Sequence, residues 1–268
     1  MRDSKLKSVL QRLGFEFPRE HGLTMIWLSA IILGTTLSLL EDFKIEGLIL
    51  ALLFSIIVLL SHGSIRKSVK TRFSENSWTP GLFVLIFSIS LWLWRPTWQM
   101  ISVFLLLGSL FGIWVVLAQR KHYQHTGTLI IGSLDLSLLF PLILVSSIAR
   151  IDETRFFEIL AIWWLFAGMT VLLIMHVQRV RNKVALGTPF VTWLIFLLSF
   201  ALLFLNSLLE PLLVLALVEP TLNEIIQLLK SRKPVSARPR LKRIGLVITI
   251  RLFLFITIIL LSSLFVSL

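Results

Sequence analysis

The chain has no cysteine, a single tyrosine, and 14 acidic residues against 26 basic ones. The missing thiols exclude disulfides, thiolate-bound metals, iron–sulfur clusters and a cysteine nucleophile, and they leave the redox compartment open. Also missing are a glycine-rich nucleotide loop, an HExxH zinc motif, a GxSxG nucleophile elbow and a paired-carboxylate loop. The familiar cytosolic chemistries built on those motifs drop out with them.

What the chain has in quantity is apolar surface. Its 268 residues would allow one or two soluble domains, but 56% of them are apolar, the mean hydropathy is +0.91, and apolar runs of about 20 residues recur, the length that crosses a bilayer. The composition implies an all-α fold, a polytopic transmembrane helix bundle. A net charge of +12 would point to nucleic acid in a soluble protein. Here the basic residues fall between apolar spans, where they set orientation, so no nucleic-acid partner is expected and membrane lipids are.

Residues 1–22 read as a basic amphipathic arm. Leu6, Val9, Leu10, Leu13 and Phe17 recur at helical spacing with Lys5, Lys7 and Arg12 between them, which suits an interfacial helix on an anionic leaflet rather than a cleavable signal. Residues 23–268 read as a single transmembrane domain of nine spans: 23–40, 45–61, 80–94, 97–118, 127–149, 156–177, 189–208, 211–229 and 244–268. The run 189–229 is too long for one span and divides at Asn206, Glu210 and Pro211.

Lys and Arg counts give an independent test. The arm, the loops at 62–79, 119–126 and 178–188, and the loop at 230–243 carry five, four, two, three and seven, or 21 in all, against Lys44, Arg95, Arg150 and Arg155 on the opposite side. By the positive-inside rule the N-terminus is cytoplasmic, the C-terminus is outside, and the protein is a multi-pass protein of the plasma membrane. Trp92, Trp94 and Trp98 mark the outer interface and Trp78 the inner one. Gly108 with Gly112 predicts a close-packing face on the fourth span.

Ionisable groups inside apolar spans are the candidates for chemistry, because they are costly there and face a protein interior, a partner or water. The eighth span carries Glu219, Pro220, Thr221, Asn223 and Glu224 at its middle. Pro220 is expected to break it. Asp135, Glu219 and Arg251 lie at matching depths, about 12–15 Å from the cytoplasmic boundary at 1.5 Å per residue, so Arg251 is expected beside Asp135 or Glu219. Such a cluster is either the polar floor of a cytoplasm-facing cavity, with Asn223, or an inert pair tying helices together.

All five histidines fall near the cytoplasmic boundary, at helix ends rather than deep in facing helices, so no metal site is expected and no cofactor is assigned. His62 leads into Arg66, Lys67, Lys70 and Arg72, and His176 into Arg179, Arg181 and Lys183. Two spans thus run into basic segments able to hold phosphate or diphosphate. The positive-inside rule alone would produce the same residues.

Nine spans with a cytoplasmic N-terminus resemble the UbiA-type intramembrane prenyltransferases. Their aspartate-rich motifs are missing, since neither 62–79 nor 178–188 contains an Asp, so the likeness is one of topology. A nearer likeness rests on Pro18-Arg19-Glu20-His21-Gly22, Val177-Gln178-Arg179-Val180-Arg181 and Arg240-Leu241-Lys242-Arg243-Ile244-Gly245. By these motifs the chain resembles the YwiC-like family of uncharacterised membrane proteins, which implies a fold and no reaction.

Two functions follow as expectations. One is an intramembrane enzyme or binder for an anionic, lipidic or isoprenoid-like substrate, with His21, His62, Arg66, His176, Arg179 and Arg181 at the rim of the cavity and Asp135, Glu219, Asn223 and Arg251 at its floor; its partner is an anionic lipid or phosphate-bearing ligand. The other is a proton- or ion-coupled small-molecule transporter using Asp135, Glu219 or Glu224 as a relay.

Overall fold

The computed structural model describes residues 21–70, 79–122, 125–181, 183–185, 187–204, 211–230 and 241–266. The amphipathic arm, up to residue 20, lies outside them, as do the basic stretch 231–240 and Trp78. Every regular element among the described residues is helical: α1 (His21–Leu39), α2 (Ile45–Lys70), α3 (Thr79–Trp94), α4 (Trp98–Leu117) with a π-helical turn at Ala118–His122, α5 (Thr126–Ser137), α6 (Leu139–Ser147), α7 (Glu153–Val180), α8 (Thr188–Phe204), α9 (Pro211–Lys230) and α10 (Leu241–Val266). Four stretches are long and apolar enough to cross a membrane: Ile45–His62, Trp98–Arg120, Thr126–Ser147 and Glu153–Val180.

The helices follow the nine apolar runs with three differences. First, α2 does not stop at residue 61 but continues to Lys70. Residues 63–70 contain no proline, and Arg66, Lys67 and Lys70 suit the negative end of the helix dipole.

Second, the fifth run is two helices joined at Leu138. Pro141 lacks the N–H that would bond the Ser137 carbonyl, and its ring crowds that carbonyl, so the helix breaks one turn before the proline. Third, α9 passes through Pro220 without a break, contrary to expectation. A proline removes one donor without obliging the helix to end, and around Pro220 the helix is continuous on both sides.

The helices gather into two compact units, α1 to α6 in the first and α7 to α10, with the stretch Leu39–Glu41, in the second. In the first unit all nine residues of α6 are buried, as expected of a helix apolar all round. Glycine lets its neighbours reach it: a Cβ on Gly47 of α2 would sit 2.1 Å from the Ser146 carbonyl oxygen, and one on Gly34 of α1 would sit 3.0 Å from Ile143 Cβ. Ser38 Oγ donates to Ser147 Oγ at 2.6 Å, and Trp27 Nε1 donates to the Ser55 carbonyl at 2.8 Å. At the far end of α6 the Arg95 guanidinium donates to the carbonyls of Val145 at 2.9 Å and Ala149 at 3.0 Å, and also to that of Ile148. It thereby satisfies acceptors that a helix C-terminus leaves free.

Gly108 and Gly112 do not provide a close-packing face among the described residues, since a Cβ at either would meet nothing within 4 Å. The buried stripe of α4 runs instead through Met100, Val103, Leu107 and Trp114.

In the second unit α7 is the buried helix, and α8 and α10 pack on it. Asp152 caps its start by accepting from Arg155 N at 2.7 Å. Arg155 also pairs with Glu41 and Glu158. Gly168 seats the ring of Phe196 from α8, and Trp164 Nε1 donates to Ser199 Oγ at 3.1 Å.

Candidate functional site

His62 lies two turns inside α2, eight residues before its end at Lys70, about 12 Å along the axis. Asp135 lies nine residues after the start of α5 at Thr126, about 13.5 Å along it. The two meet, His62 Nε2 to Asp135 Oδ2 at 2.7 Å, with side chains 1% and 0% exposed. The expected rim residue is therefore bonded directly to the expected floor residue.

Two aromatic rings from α4 enclose the imidazole. Trp114 lies over it with ring centroids 4.3 Å apart and planes tilted by 36°, and Phe111 presents an edge at 5.7 Å. Trp114 can lie there because Gly132 of α5 has no Cβ; one would come within 2.9 Å of the indole Nε1. The remaining polar atoms of the pair, His62 Nδ1 and Asp135 Oδ1, are buried and have no hydrogen-bond partner among the described residues.

The second unit holds a pair of the same chemistry. His176 Nε2 meets Glu224 Oε1 at 2.6 Å, with side chains 10% and 2% exposed, and Asn223 Nδ2 donates to the same oxygen at 3.2 Å. One turn earlier on α9, Glu219 receives Arg251 of α10 through Nε at 2.8 Å and Nη2 at 3.4 Å. Thr221 accepts from Trp193 Nε1 of α8 at 3.0 Å and donates to the Leu217 carbonyl at 2.6 Å.

This accounts for the polar centre of the eighth apolar run. At about 100° per residue Glu219, Thr221 and Glu224 project in three directions, and each meets a different helix: α10, α8 and α7.

No protein-family model, curated protein or solved structure matches this chain. The site is therefore read from its own chemistry.

Arg251 has Glu219 as its partner, one of the two neighbours expected for it. Asp135 pairs with His62 within the first unit, and Arg251 pairs with Glu219 within the second, a cation with one carboxylate where one or two were expected. His21 is the first residue of α1 and Arg66 lies in the last turns of α2, but their side chains lie outside the described residues. Arg179 and Arg181 close α7, and Arg181 N donates to the Val177 carbonyl at 3.2 Å. Among the described residues no three of His, Asp and Glu gather as a metal-ligand set.

Trp114 and the pairing of Glu224 were missed from sequence. Depth matching would have found the latter, since His176 stands four residues from the end of α7 and Glu224 six from the end of α9. Nothing in the sequence marks Trp114 apart from other apolar residues of α4.

Proposed function

We propose that the chain is a proton-coupled membrane transporter in which the His62–Asp135 and His176–Glu224 pairs bind and release protons. The observation that carries this reading is that each unit buries one histidine on one carboxylate. Ionisable groups at such depth are expensive, and proton relays are a principal use of them. A histidine is the side chain whose charge changes most readily near neutral pH, and a carboxylate beside it can take or return the shared proton without any heavy atom moving far. The basic rim expected for an anion site fits less well, because two of its histidines already bond carboxylates.

Infrared difference spectroscopy between two pH values on the reconstituted protein tests the reading. Protonated-carboxyl bands should rise and fall reversibly, one missing in Asp135→Asn and another in Glu224→Gln, and both variants should lose proton-driven uptake in proteoliposomes. Carboxyl bands that do not respond to pH would overturn it.

A second reading, an enzyme or binder for an anionic lipidic substrate, is favoured by Arg179 and Arg181, which close α7 directly after His176. Native mass spectrometry with lipidomics tests it: retained anionic lipid or a phosphate-bearing metabolite, lost in Arg179→Ala with Arg181→Ala, would support it over the relay.

The membrane arrangement belongs to the same proposal. Nine spans, a cytoplasmic N-terminus and residence in the plasma membrane rest on the 21-to-4 distribution of Lys and Arg. Reporter fusions after Ser77 and Leu268 test it, and a cytoplasmic signal from the latter would overturn it. Membership of the YwiC-like family likewise rests on its three short motifs. Of these, Val177–Arg181 closes α7 and Leu241–Gly245 opens α10.

A further inference from the structure

We propose that Trp114 is the positioning residue of the His62–Asp135 pair: seated on Gly132, it holds the imidazole so that Nε2 stays on Asp135 and Nδ1 is the atom that takes up the proton. This rests on the relay reading and adds the atom through which the first unit works and the residue that selects it.

The argument starts from the 2.7 Å contact between Nε2 and Oδ2. With Asp135 in its ionised form the carboxylate only accepts, so the proton between them is on Nε2, and the neutral ring then has a bare lone pair at Nδ1. Nδ1 and Asp135 Oδ1 are the two buried atoms of the pair without a partner among the described residues. A group that passes protons needs a vacant atom at each end, and these atoms stand at the two ends of the pair.

Ring orientation then decides the outcome. The second side-chain torsion of histidine is broad and two-fold, so an unrestrained ring would turn over, and because that exchanges Nε2 with Cε1, the turned ring would place a C–H on Asp135 and leave the tautomer unset. Trp114 covers one face at 4.3 Å, and Phe111 restricts the ring further with its edge. The indole is itself trapped, because any Cβ at Gly132 would strike it at Nε1 and Cδ1, at 2.9 and 3.0 Å. Gly132 and Asp135 are three residues apart on α5 and so share a face. The helix that carries the carboxylate thus also carries the seat of the residue that orients its partner.

Charge acts in the same direction. The negative face of an indole favours a cation above it, and Asp135 favours the same imidazolium. Of the helices that meet α2, α3, α4 and α6 contain no ionisable residue and α1 only its first, His21. Among the residues whose side chains are described, the further cation on an element that meets α2 is Arg120 of the π turn, which is exposed. In the step itself Nδ1 gains a proton to give imidazolium beside carboxylate; loss from Nδ1 restores the start, and passage of the Nε2 proton to Oδ2 leaves neutral imidazole beside neutral acid.

The test is nitrogen NMR on the full chain in lipid nanodiscs with labelled histidine, His62 being assigned by His62→Gln. Wild-type protein should show one neutral tautomer with the proton on Nε2, converting reversibly to imidazolium on acidification. Gly132→Ala and Trp114→Leu should each show two ring populations in the neutral state, because the ring can then turn over, which releases Nε2 from Asp135 and no longer fixes the tautomer. If Trp114→Leu does not fold, Trp114→Tyr serves, since its smaller ring leaves the Gly132 seat and should also admit the second tautomer.

Single-tautomer spectra in every folded variant would overturn the role of Trp114 while leaving the relay intact. A wild-type His62 that never changes protonation while the protein stays folded would overturn the relay reading as well.

Discussion

The two histidine–carboxylate pairs use the same groups at nearly the same distance, 2.7 Å in the first unit and 2.6 Å in the second, yet they are finished differently. Around His62 and Asp135 the neighbours are aromatic, and two polar atoms are left without partners among the described residues. Glu224 has a second donor in Asn223, and its helix also anchors Arg251. A buried charge with one partner depends wholly on it, whereas one with two retains part of its compensation when either is removed. The first pair should therefore be the brittle one and the second the tolerant one.

The largest effect is expected at the brittle pair. His62→Leu leaves Asp135 buried without its ionisable partner and should destabilise the protein by about 3–5 kcal/mol. Adding Asp135→Leu should recover most of that loss, since an apolar pair of similar volume has no charge to desolvate. Thermal unfolding in detergent, read as a double-mutant cycle, checks both values; losses that simply add would show that the pair carries no coupling.

His176→Leu should cost less, about 2–3 kcal/mol, because Asn223 still serves Glu224. Equal losses for His62→Leu and His176→Leu under the same unfolding assay would break the comparison.

Arg251→Met comes next. Its partner Glu219 is 30% exposed, so the loss should fall between the surface and buried values, about 2 kcal/mol, with Glu219→Gln partly restoring stability in the double variant. The smallest effect is Asn223→Ala, about 1 kcal/mol for one hydrogen bond. It also sharpens the comparison: once Asn223 is gone, His176→Leu should cost as much as His62→Leu does in the wild type.

Much of the fold was legible because a bilayer leaves few solutions. Backbone groups in an apolar solvent must bond within their own segment, so each apolar run implies a helix. Boundaries were readable to a few residues wherever proline or charge ended the run. They failed where the local signal misled: at 63–70, where basic residues extend α2; at Pro141, a breaker hidden in an apolar run; and at Pro220, where the helix continues. Gly108 and Gly112 had the right spacing for close packing but fall outside the buried stripe of α4. Spacing defines a face of a helix and does not say what that face meets.

The ionisable residues divide along the same line. Their position along each helix follows from counting 1.5 Å per residue, and that was enough to expect Arg251 beside Asp135 or Glu219, without choosing between them. Their partners depend on which helices are neighbours and how each is rotated about its axis, and this comes from packing residues far apart in sequence. His62 and Asp135 are 73 residues apart, and His176 and Glu224 are 48 apart. By itself the sequence determined that the chain is helical and apolar, and which helices carry charge and at what height. Only the tertiary structure decided that Asp135 would meet a histidine rather than an arginine and that a glycine would seat a tryptophan on that histidine. Height is a property of one helix, and contact is a property of two.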